Sequence, residues 1–138
     1  MIALTANKAD LESESRADLI LQSDPAIRYA AVIDYSNKTI ECKGQGACAL
    51  SLENFRDFVA VGPLLALGSM GAKLQPSCGQ LEYLIGRFED TIIGIFQLPK
   101  LMVVLAVDST FPVERFEEFT SFLKQMNHNN SYYFSYIT

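Results

Sequence analysis

Three cysteines, Cys42, Cys48 and Cys78, and a single histidine, His128, have the widest chemical reach of any residues in this chain. Three thiolates and an imidazole could close a tetrahedral zinc site. Their spacing gives no paired-ligand knuckle, and His128 sits in the polar run Asn127-His128-Asn129-Asn130. A cysteine nucleophile would need that same histidine as its base. Free, partly buried thiols and a solvated histidine are the readings the spacing favours. No catalytic residue, metal ligand or cofactor is assigned on this basis.

Two glycine-rich stretches and one pair of carboxylates bear on other chemistries. Gly68-Ser69-Met70-Gly71-Ala72-Lys73 lacks the closing GK[ST] of a phosphate loop and follows no strand. Gly44-Gln45-Gly46 lacks the third glycine of a dinucleotide fingerprint. Packing is the better reading of Gly68 and Gly71, since small residues let another helix approach closely. Asp34 and Asp108 each end a strand, and side by side they could share a proton or a metal. Capping a turn is the commoner work of a strand-end aspartate. Arg87 falls on a short strand with Tyr83 and Ile85; solvation, pairing with a carboxylate and a place in an interface are its three readings, and the interface is favoured.

The totals exclude several function classes. A net charge of −5 argues against binding nucleic acid by neutralising phosphates. No apolar run reaches the roughly 18–20 residues of a membrane-spanning helix. The start, MIALTANKADLESESR, lacks the charged-then-apolar order of a signal peptide, so the cytoplasm is the expected location. An odd cysteine count without a CxxC pair fits a reducing compartment. With 138 residues, 49% of them hydrophobic, the chain can bury a core of its own. One domain over residues 1–130 is expected, followed by the aromatic tail 131–138 (SYYFSYIT), which either docks or serves as an arm.

The elements that position these residues read as α-β-β-α-β-β-β-α. A helix is expected from Lys8 to Gln22, with Glu14 and Asp18 repelling mildly at i,i+4, and Ser23-Asp24-Pro25 stops it. Ile27 to Asp34 is a strand, with Ile27, Tyr29, Ala31 and Ile33 on one face. Tyr35-Ser36-Asn37-Lys38 turns the chain into a strand from Thr39 to Lys43, and Gly44 to Ala47 is a flexible link. Ser51 caps a helix with Leu52, Phe55, Phe58 and Val59 as its apolar stripe. Gly62-Pro63 should break or kink it before an apolar second piece, Leu64 to Leu74. Three strands follow in LEYLIGRFEDTIIGIFQLPKLMVVLAVD. Leu101 to Val107 is apolar at every position and should be central, covered on both faces. Phe111 and Val113 begin a last helix, with Pro112 in its first turn and Phe116, Phe119, Leu123 and Met126 as its stripe.

With this layout, the chain resembles the Roadblock/dynein-light-chain family from roughly Ala9 to Met126. The resemblance lies in IRYAAVIDYSNKTIEC as first hairpin, the long central helix, the three-strand phrase above and the last helix. SDPAIRYAAVID and the layout are also similar to an uncharacterised archaeal family related to Roadblock proteins. The resemblance implies an α+β fold of Roadblock/profilin type: a five-stranded antiparallel sheet sandwiched between the central helix and the terminal helices. It implies a homodimer that pairs central helices (Leu52 to Leu74) and third strands (Glu82 to Phe88) into one continuous sheet. The residues it points to are Leu64, Leu65, Leu67, Gly68 and Gly71 on the helix, with Tyr83, Ile85 and Arg87 on the strand. It implies a non-enzymatic scaffold or regulator of a small GTPase, with no cofactor. A ligand-sensing domain of similar α/β/α architecture is the alternative, its pocket beside Gly62-Pro63 with room left by Gly86 and Gly94.

Overall fold

The structure, a computed structural model, describes residues 15–128; the side chains of residues 66, 67, 69, 127 and 128 lie outside the description. Helix α1 (Arg16–Ser23) starts at a capping box, in which Ser15 Oγ accepts from the Asp18 amide and the Asp18 carboxylate accepts from the Ser15 amide. The expected residues Lys8 to Glu14 lie outside the described residues. Asp18, expected to be in mild repulsion, works in the cap and pairs with Lys43 at 2.8 Å. Its carboxyl is held below the usual range, chiefly by that lysine.

Strands β1 (Ile27–Asp34) and β2 (Thr39–Gly44) form the first hairpin. Helix α2 (Leu52–Cys78) leads to β3 (Tyr83–Arg87), β4 (Thr91–Gln97) and β5 (Leu101–Asp108), and α3 (Arg115–His128) follows. All pairings are antiparallel, in the order β2-β1-β5-β4-β3. The uninterrupted apolar strand β5 therefore sits at the centre, as its composition requires. One face of the sheet packs Ala30, Val32, Ile92, Phe96, Val103 and Leu105 against Ile20 of α1 and Phe116, Phe119 and Leu123 of α3. The other packs Tyr29, Ala31, Ile95, Met102 and Val104 against Phe55 and Val59 of α2.

Four expectations are corrected by the structure. A bulge between Ile27 and Tyr29 turns Ile27 to the α1–α3 face, away from Tyr29, Ala31 and Ile33. The link after β2 is anchored: Gln45 Nε2 donates to the carbonyls of Leu21, Asp24 and Ile27, closing the end of α1. Helix α2 runs through Gly62 and Pro63 without a break. Its 48° bend instead separates Leu52–Leu65 from Met70–Cys78. Helix α3 begins at Arg115, because Phe111 first closes a turn on Asp108 and the next amides bond three residues back.

Candidate interaction surface

Helix α2 lies over β1 and β5 with its first half, where Phe55 and Val59 are buried. Among the described residues the same face of β3 is left uncovered, next to Ile93 and Ile95 of β4, which are buried. Leu84, Gly86 and Phe88 of the β3 segment, with Ile93 and Ile95 of β4, floor a groove of about 620 Å³. Ala49, Leu50 and Phe58 wall it, and Thr91 supplies the hydroxyl among an otherwise apolar lining. Phe88, 63% exposed, stands at its rim on the sheet edge. Beyond Pro63, α2 presents Leu64 (62% exposed), Leu65 (68%), Met70 and Leu74 to solvent. This is a concentration of exposed apolar side chains larger than scattered single surface residues.

The expected interface residues divide between the two faces of β3. Leu64 and Leu65 are exposed on α2, and a Cβ added to Gly68 or Gly71 would meet nothing within 4 Å. No neighbour within the described residues uses the space at those glycines. The side chain of Leu67 lies outside the described residues. Tyr83 and Ile85 pack against the α1–α3 core, on the sheet face opposite α2. Tyr83 Oη donates to Glu117 Oε1 at 2.6 Å, and this bond, with burial, pushes the phenol pKa up. Arg87 is exposed at the end of β3 and shares that face by alternation. Only the β3 edge joins the two groups.

The residues with chemical reach do not converge. Asp34 and Asp108 stand at opposite ends of the β1–β5 ladder, since Asp34 faces Leu101 and Val107 faces Ile27. Paired-carboxylate chemistry between them is thereby ruled out by the register. Asp34 caps the hairpin turn, accepting from the amides of Ser36 and Asn37 at 2.9 and 3.1 Å, and pairs with Arg16 at 2.8 Å. Asp108 pairs with Arg28 at 2.6 Å. Cys42 and Cys48 are half-buried beside the α2-side core, while Cys78 is exposed. Burial pushes the Cys42 thiol up, with the Arg56 guanidinium opposing it. Among the described residues no three His, Cys, Asp or Glu side chains gather as a metal site.

The pocket expected beside Gly62-Pro63 lies elsewhere. A Cβ on Gly62 would strike the Phe58 ring, and one on Gly94 would meet Phe96 at 3.0 Å and Phe116 at 3.2 Å. Both glycines are filled by aromatic rings, and only Gly86 faces the open groove. Phe58 and Phe88 were not among the expected site residues. The alternation of Leu84, Gly86 and Phe88 marks them as one face, but not as the face α2 leaves bare.

Two helical layers, this strand order and, among the described residues, an uncovered third-strand edge define a known architecture. The chain has the Roadblock/LC7 fold. A Roadblock/LC7 domain from Streptomyces avermitilis superposes with a TM-score of 0.57 at 10% identity, over 80% of this chain and 89% of that one. Myxococcus xanthus MglB gives 0.54 at 15% identity, over 79% and 89%. The gliding protein MglB from Thermus thermophilus gives 0.52 at 21% identity, over 73% and 74%. No family model matches the sequence, and no curated protein matches it. Among the described residues, no single helix of this Roadblock-like fold is long and apolar enough to cross a membrane; α2 reaches that composition only as its two bent halves together.

Proposed function

We propose that this protein is a non-enzymatic Roadblock-type interaction module that forms a homodimer through α2 and the β3 edge. The exposed apolar run Leu64, Leu65, Met70 and Leu74 on α2, together with the apolar groove along β3, carries this reading. A second copy of α2 would cover both, and the open β3 edge would otherwise invite uncontrolled pairing. A solved MglB structure of this fold, at 17% identity, is described in a tetrameric arrangement, which supports a tendency of the fold to self-associate. Action on a small GTPase, as scaffold or regulator in the cytoplasm, follows from the sequence resemblance to the Roadblock family. Its test is titration of purified, nucleotide-loaded small GTPases against the wild-type chain and Leu64→Asp. Binding that the variant alters supports the regulator reading, and no binding by any of them removes the GTPase from the proposal.

The groove itself favours a second reading, a ligand-sensing domain. Its volume suits a small molecule, and its lining suits an apolar one. A monomeric chain whose melting temperature rises with an apolar ligand, and not in Gly86→Phe, would select that reading over the dimer.

A further inference from the structure

Among the described residues the sheet has a second open edge, β2, and its residues are complementary to themselves. The Gln45 amide bonds the Arg28 carbonyl at 2.8 Å, which sets residues 28 and 45 as a hydrogen-bonded pair. Along an antiparallel ladder such pairs alternate. With Gly44 opposite Tyr29 and Ile40 opposite Ile33, the backbone groups of Thr39, Glu41 and Lys43 then point into the sheet. Those of Ile40, Cys42 and Gly44 point outward to the open edge. Ile40 is 61% exposed there. A groove lined by Ile40, Cys42, Arg56, Val59 and Ala60 leaves space beside it, on the α2 side.

We propose that β2 is a second self-association surface, pairing antiparallel with β2 of another copy in the register that sets Cys42 opposite Cys42. In that register the outward backbone groups of Ile40, Cys42 and Gly44 meet their counterparts, so the edge is satisfied. Ile40 lies across from the partner's Gly44, over which the partner's Tyr29 ring lies, so two apolar groups meet on the α2 side. Glu41 lies across from the partner's Lys43 on the other face, as a non-hydrogen-bonded pair, the closer kind at about 4.5 Å between Cα atoms. The neighbouring registers fail on charge. A shift of one step sets Glu41 against Glu41, and the opposite shift sets Lys43 against Lys43, both of which destabilise. Lys43 already reaches Asp18 at 2.8 Å, so its ammonium is held on the face where the partner's Glu41 arrives.

Light scattering over a range of concentration tests this surface separately from the α2–β3 one. Wild type should add one concentration-dependent association step that Glu41→Lys loses, a weakening of roughly ten- to a hundredfold from like charges at two symmetric pairs. Mixing Glu41→Lys chains with Lys43→Glu chains should restore the step, a rescue that misfolding of either variant cannot produce. In a chain carrying Cys48→Ser and Cys78→Ser, diamide should link two copies through Cys42. The two thiols give two electrons and two protons to the diazene, and a hydrogen-bonded pair at about 5.5 Å between Cα atoms is within disulfide reach. Masses for Glu41→Lys equal to wild type at every concentration, or no Cys42 link, would overturn the proposal. Loss with Glu41→Lys but not Leu64→Asp upholds β2 pairing and sinks the α2–β3 dimer; the converse pattern does the reverse.

Discussion

Asp34→Asn should destabilise the fold at neutral pH and cost little in acid. The carboxylate is 6% exposed, pairs with Arg16 and accepts from two turn amides and the Asn37 side chain. Removing one partner of a buried pair costs about 3–5 kcal/mol. Arg16 keeps 23% of its side chain in solvent, and asparagine keeps one acceptor oxygen for the turn. Both lower the expectation to about 2–3 kcal/mol, or roughly 5–12 °C in melting temperature for a chain of this size. Burial raises the Asp34 pKa, but the Asn37 amide, Arg16 and the Ser36 amide outweigh it, and the folded value lies below the ordinary 3.8. A depressed carboxyl pKa gives stability that is whole above the unfolded value and is lost as pH falls through the folded one. Urea titrations of wild type and variant should therefore show the full gap at pH 7 and a shrinking gap below about pH 3.8. A gap that stays constant from pH 7 to pH 2, or one under about 0.5 kcal/mol at pH 7, would refute the reasoning.

Further substitutions probe the frame around the surface. Gln45→Ala removes the donor shared by Leu21, Asp24 and Ile27, and denaturant unfolding should show a loss of about 1–3 kcal/mol. Gly94→Val drives a side chain into Phe96 and Phe116 and should cost about 1–3 kcal/mol or more. Gly86→Val, facing the groove with only Phe88 near at 3.7 Å, should change stability by about 0.5 kcal/mol or less in the same assay. Phe116→Ala empties a site ringed by Phe96 and Phe111 and should lower stability by about 3–5 kcal/mol in thermal melts.

The strands were legible because each is a β-rich run closed by turn residues. Ile27–Asp34 and Thr91–Gln97 match their expected bounds, and the all-apolar Leu101 to Val107 announced its central place. The bulge at Ile27 left no mark in the alternation, so the face of that residue was misread. Pro63 costs α2 a hydrogen bond, yet Phe55 and Val59 pin the preceding turn to the sheet, and the helix continues. The apolar exposure on α2 was legible, the face of β3 was not. Exposed leucines after Pro63 stand where the sequence placed an apolar seam. Period-2 alternation sorts Tyr83 and Ile85 from Leu84 and Gly86, but nothing in it says which set faces α2. That choice is set by long-range packing, as Phe96 draws Tyr83 toward α3. The charge pattern of Glu41 and Lys43 acquires meaning only once the edge position and register of β2 are known.

The most direct test of the α2 surface is the solution mass of wild type beside Leu64→Asp, each diluted through the micromolar range. The account predicts a wild-type mass of at least twice 15.3 kDa. The variant should dissociate at much higher concentration, because about 1–2 kcal/mol of leucine burial is lost from each protomer. A wild-type chain that stays at 15.3 kDa throughout, indistinguishable from the variant, would contradict it.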